Sequence, residues 1–159
     1  MDVVRTELGF AQPQRMFPKK GSCMAIFSRA LNSQVALKTI LTESYPSLVG
    51  HEDELRQLFA AYAEHKNTAG ILDYDDLLLF WQVLLEDGQV GPVVRGRFDA
   101  VLVDEYQDTN VLQASILKLL RPTGRGLTVV GDDAQSIYSF RAANVRNILD
   151  FPDQFPGTQ

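Results

Sequence analysis

Two pairs of carboxylates stand directly after runs of β-forming residues. Asp104 and Glu105 follow Val101, Leu102 and Val103 in VLVDEYQDTN, and Asp132 and Asp133 follow LTVVG in LTVVGDDAQ. Adjacent acids can divide two tasks. One can hold Mg2+, which keeps several waters and takes one or two carboxylates beside substrate phosphates. The other can accept a proton from an attacking water. Apolar runs such as Val101–Val103 read as parallel strands covered on both faces. Open α/β sheets bind their ligands outside the strands' carboxyl ends. A single acidic pair after a strand also reads as a solvated turn. The second pair, on a neighbouring strand, is what favours a site.

The elements that must position these groups follow from periodicity. Strands are expected near 99–103 and 127–130. Between them Thr109 is expected to cap a helix whose Leu112, Ile116, Leu119 and Leu120 share one face. Strand, helix, strand and helix over 96–159 give the rhythm of a parallel sheet. Residues 1–95 read as helices. Leu37, Ile40 and Leu41 mark one within 25–43. Leu55, Leu58, Phe59 and Tyr62 mark another from Glu52 to Lys66, with Glu52, Asp53 and Glu54 in its first turn. In ILDYDDLLLFWQVLLEDG, Asp73 is a candidate N-cap and Asp75 and Asp76 occupy the first turn. That helix is apolar nearly all round, which predicts burial. The acids at its start match the spacing of no calcium loop. QPQRMFPKKG reads as a loop, FPKKGS as a turn and DGQVGPVVRGR as a linker. The division expected is a helical segment, 1–95, and an α/β segment, 96–159.

Composition narrows the class. The chain has 159 residues, 45% of them apolar, and a formal charge of −5, so it is globular and lacks the basic surplus of a free-standing nucleic-acid binder. Cys23 is the only cysteine, which excludes an internal disulfide and suits a reducing compartment. His51 and His65 stand in no ligand spacing. MDVVRTELGF lacks the apolar core of a secretory signal, and LLLFW is too short to span a bilayer. A cytoplasmic location without membrane association is expected.

The two acidic segments resemble named motifs. VLVDEYQDTN is similar to the Walker B element, motif II, of UvrD/Rep-type superfamily 1 helicases. VVGDDAQSIYSFRAA, a short distance further along the chain, is similar to their motif III, and LDYDDLLL resembles the segment that precedes motif II. The resemblance implies a partial RecA-like P-loop NTPase sheet interrupted by a large helical insertion. It implies an ATP-driven motor that travels on single-stranded DNA and unwinds duplex DNA, mostly 3′ to 5′, at the nucleoid, in DNA repair, replication or recombination. It implies ATP and Mg2+ as cofactors, and the remaining motor domains as partners. Asp104 would hold Mg2+, Glu105 would activate water, and Gln135 would sense the γ-phosphate. Tyr138 and Phe140 would stack on bases, with Arg141 as a cation beside them. Stacking is sequence-tolerant and contributes roughly 1–3 kcal/mol per base, which suits a motor indifferent to sequence. Gln107 and Asp108 would brace the site.

This chain departs from the family pattern at three points. Phe140 stands where the family usually has Trp, and Ala142 where it usually has Gly. None of the 11 glycines is followed by Lys, so the chain carries no Gly-x-x-x-x-Gly-Lys-Ser/Thr phosphate cradle. The segment taken alone is therefore expected to be inactive. Two other readings stay open: a non-enzymatic interaction module that keeps the motifs, and an unrelated Mg2+-dependent phosphohydrolase using both acidic pairs.

Overall fold

A computed structural model describes residues 1–12, 14, 16–135 and 143–159. Among the described residues the chain is mostly helical, with one two-stranded parallel sheet. It divides into two compact units, Met1–Tyr74 and Asp75–Gln159. Leu78, Leu85 and Val94, on helices of the second unit, pack with Leu112, Ile116 and Leu120.

The first unit holds α1 (Asp2–Glu7), α2 (Lys20–Ser33), α3 (Leu37–Ser44) and α4 (Glu52–Ala69). Their buried faces meet in one cluster containing Phe10, Phe17, Ile26, Leu41, Leu55 and Leu58. The spacing in α4 did its expected work: Leu55 and Leu58 are fully enclosed, and Phe59 is packed beside them. Asp2–Glu7 is helical and buries Val4. Lys20, Gly21 and Ser22, expected in a turn, instead open α2, because Phe17 is buried and anchors the approach to the helix.

The second unit contains α5 (Tyr74–Glu86, from its second residue), α6 (Val90–Arg95), β1 (Val101–Val103), α7 (Val111–Leu120), β2 (Leu127–Val129), α8 (Arg146–Leu149) and α9 (Phe151–Gln154). The expected linker thus contains a helix. Asp87 starts it, accepting at Oδ1 from the N–H groups of Gln89 and Val90, both at 2.8 Å. Those two bonds, Val90's first, hold the Asp87 carboxyl below its usual range. Gly91 is required there, since a Cβ would lie 2.4 Å from the Leu85 carbonyl oxygen.

Burial of α5 is one-sided. Leu85 packs with Leu112, Ile116 and Leu120 of α7, but Leu77, Phe80, Trp81, Val83 and Leu84 are exposed. The expectation of all-round burial fails because α7 supplies cover along one line only. The sheet shows the same pattern. Val101, Val103, Leu127 and Val129 are half-buried, and Leu102 is 79% exposed beside exposed Thr128. One face packs on Tyr106, Phe151 and Phe155; the other is open among the described residues, contrary to the two-faced cover expected.

Candidate nucleotide and nucleic-acid site

The strands are parallel and in register, with Val101, Leu102 and Val103 opposite Leu127, Thr128 and Val129. Asp104 and Asp132 therefore leave the same carboxyl edge. The ladder continues past the strands. The Val103 carbonyl accepts from Val130 N–H at 2.8 Å, and the Val130 carbonyl accepts from Tyr106 N–H at 2.9 Å. Asp104 and Glu105 are the residues between those two rungs.

Their backbone is forced outward. Glu105 adopts φ 50° and ψ 45°, a left-handed conformation that costs a non-glycine residue about 1 kcal/mol. Asp104 Oδ1 offsets part of that cost by accepting from Glu105 N–H at 2.9 Å. Both side chains are consequently exposed at the edge. A short 3₁₀ turn, Tyr106–Asp108, comes next and drives the chain inward. Tyr106 is 1% exposed and meets the Phe151 ring edge-on, with centroids 5.4 Å apart. This burial raises the Tyr106 phenol above its ordinary value.

Gln107, also 1% exposed, links the two strand ends. Its Nε2 donates to Glu105 Oε2 at 2.6 Å, and its Oε1 accepts from Asp132 N–H at 3.0 Å. Asp132 in turn accepts at Oδ1 from Ala134 N–H (3.0 Å) and at Oδ2 from Gln135 Nε2 (2.8 Å). Glu105, Gln107, Asp132 and Gln135 thus form one hydrogen-bonded line along the sheet edge. The sequence had singled out all four for chemistry or bracing, Asp132 as half of the second acidic pair; the structure makes Asp132 the link. Asp133 is exposed and begins the 3₁₀ turn Asp133–Gln135. Asp108 Oδ1 is buried with no hydrogen-bond partner among the described residues.

The next turn corrects the expected cap. Asn110, not Thr109, caps α7. Its side chain accepts from Gln113 N–H at 2.8 Å, and the Gln113 side chain accepts from Asn110 N–H at 3.0 Å. The spacing Asn-x-x-Gln in NVLQ carried this signal. Thr109 Oγ1 instead donates to the Tyr106 carbonyl at 2.7 Å. Asn147, which the sequence did not mark, is buried and donates to the carbonyls of Thr109 (2.9 Å) and Asn110 (3.2 Å). An isolated antiparallel bridge joins Ala143 to Asn110. Tyr138, Phe140 and Arg141 lie outside the described residues. The segment on either side of them is tied to the site, by Gln135 before and by Ala143 and Asn147 after.

No three His, Cys, Asp or Glu side chains cluster as a metal cage among the described residues. The exposed oxygens of Asp104 and Glu105 suit a hydrated Mg2+ carried with nucleotide phosphates, since that ion needs only one or two carboxylates from the protein. No helix among the described residues is long and apolar enough to cross a membrane.

Residues 4–156 match the family described as UvrD/REP helicase N-terminal domain. The chain is similar to "ATP-dependent DNA helicase Rep" of Escherichia coli strain K12, 37% identical over 117 residues, covering 72% of this chain and 17% of that protein. It is also similar to "DNA helicase II" of the same strain, at 38% over 109 residues, covering 68% and 15%. A third relative is "ATP-dependent DNA helicase srs2" of Schizosaccharomyces pombe, at 38% over 127 residues, covering 79% and 14%. The chain therefore spans a small part of the relatives it matches.

Proposed function

The chain belongs to the UvrD/REP helicase N-terminal domain family, and on that premise we propose that it is the motif II and III segment of an ATP-dependent DNA helicase. Its sheet would be part of a RecA-like motor domain and its helices, over 1–95, an insertion into that domain. The observation that carries the reading is the pair of parallel strands whose shared edge bears Asp104, Glu105 and Gln135.

Asp104 would hold Mg2+, which when bound neutralises charge on the triphosphate. Glu105 would take the proton of the attacking water from its exposed position. Gln135 would contact the γ-phosphate and exchange its bond to Asp132 for one to the nucleotide. Tyr138 and Phe140 would stack on single-stranded bases, with Arg141 beside them. Movement would run 3′ to 5′ on DNA, in the cytoplasm at the nucleoid.

The segment alone would not turn over ATP. Carboxylates repel a triphosphate unless a lysine and a nest of backbone N–H groups offset them, and this sequence lacks that cradle. The test is DNA-stimulated ATP hydrolysis by the full-length helicase containing this segment. Glu105→Gln should lower kcat by about 10²-fold or more, the contribution of a positioned base. Undiminished turnover would refute the reading.

A further inference from the structure

We infer that Gln107 is a positioning residue for ATP hydrolysis, holding the Glu105 carboxylate and coupling it to the strand end that carries Gln135. The inference rests on the reading of Glu105 as the water-activating base.

Glu105 is exposed and sits on a left-handed backbone. An exposed glutamate has several rotamers of similar energy, and fixing one of them costs side-chain entropy. A base must nevertheless meet its water in one geometry. The Gln107 amide supplies that constraint from the interior, donating to one carboxylate oxygen at 2.6 Å. The amide is itself fixed. Its Oε1 accepts from Asp132 N–H, so a flipped amide would set oxygen against carboxylate and NH2 against N–H. Gly131 leaves room for this arrangement, because any Cβ there would lie 2.5 Å from Gln107 Oε1. Asp132 then holds Gln135. Displacement of Gln135 at the phosphate is thereby transmitted through Asp132 and one buried amide to the carboxylate that acts on water.

Three variants separate this role from packing. Gln107→Met keeps the volume and loses both bonds. Gln107→Glu keeps the size and an acceptor for Asp132 N–H, but sets a second carboxylate against Glu105. Glu105→Gln is the reference for loss of the base. Amide hydrogen exchange at Asp132 and Val130 is read in the 159-residue chain, and ATP turnover in the full-length helicase. Gln107→Met should expose the Asp132 amide to exchange while Val130, bonded to Val103, stays protected. Gln107→Glu should keep Asp132 protected. Both variants should lower kcat by about tenfold to a hundredfold, the usual effect of removing a group that orients a reactive ligand, with little change in the KM for ATP.

Unchanged Asp132 protection in Gln107→Met would overturn the tether. Wild-type kcat in Gln107→Glu, with Glu105→Gln inactive, would overturn the positioning role alone. Wild-type kcat in Glu105→Gln would overturn the helicase reading itself.

Discussion

Gln107 and Gly131 occupy complementary space: a Cβ on Gly131 would lie 2.5 Å from Gln107 Oε1 and 2.8 Å from Ile148 Cδ1. The glycine is needed for clearance. The side chain it admits joins the two strand ends.

Gly131→Ala should therefore destabilise the chain by about 1–3 kcal/mol, the usual cost of overpacking. Gly50, with nothing within 4 Å of its Cβ position, provides the control. Urea midpoints of Gly131→Ala and Gly50→Ala should separate clearly. Equal midpoints would mean that Gln107 moves aside at no cost.

The cap of α7 is tested by Asn110→Ala. Loss of the bond from Gln113 N–H to the Asn110 side chain should cost about 1 kcal/mol. Asn110→Asp retains an acceptor for Gln113 N–H and should cost less. Chemical denaturation of both variants checks the order.

The sequence made the sheet edge legible because its information is local there. Three apolar residues followed by acids mark a strand end, and two such marks set the parallel pair. What it concealed depends on partners far along the chain. Asn147 gains its role only when α8 returns to Thr109 and Asn110. The resemblance implied that Gln107 braces the site, but its contact with Asp132 spans the whole α7 crossover between the strands. The burial expected for α5 and for both sheet faces failed for a related reason. An apolar residue records that cover is wanted without recording whether a neighbouring element supplies it.

Tyr106 predicts the alkaline behaviour. Burial raises its phenol above the ordinary value near 10, so the unfolded chain ionises first as pH rises. The stabilisation is complete below the unfolded value and is lost as pH climbs through the folded one. Tyr106→Phe should be less sensitive than the parent to a rise from pH 8 to about pH 11. Parallel loss of stability in both proteins would show that other groups control the alkaline limb.

Lys66 and Asp73 form a salt bridge at 2.7 Å, with Lys66 only 4% exposed and its Nζ 4.6 Å from the Tyr62 ring centre. Asp73 is the more hydrated partner. Asp73→Ala removes a carboxylate bonded to an enclosed ammonium, a loss that approaches about 3 kcal/mol. Lys66→Met leaves a carboxylate that water can reach and that Tyr62 still donates to. It should cost less. Thermal unfolding should rank the parent first, Lys66→Met second and Asp73→Ala last; the reverse order of the variants would show that Asp73 carries the larger desolvation cost.

The proposed DNA platform is tested by separating its two ends. In the full-length helicase, Phe140→Ala should weaken single-strand binding by roughly 1–3 kcal/mol, the contribution of one stacked base, and leave ATP affinity nearly intact. Gln135 stands on the other side, at the sheet edge, where it bonds Asp132. Gln135→Ala should keep DNA affinity and uncouple hydrolysis from DNA, because the stacking rings remain while the contact that reports the phosphate is gone. Binding is measured with labelled oligonucleotides over a salt series, since phosphate contacts weaken with salt whereas stacking does so far less. A purely structural Phe140 predicts lowered thermal stability with unchanged DNA affinity. A stacking Phe140 predicts the opposite pair of results, and the two measurements together decide between them.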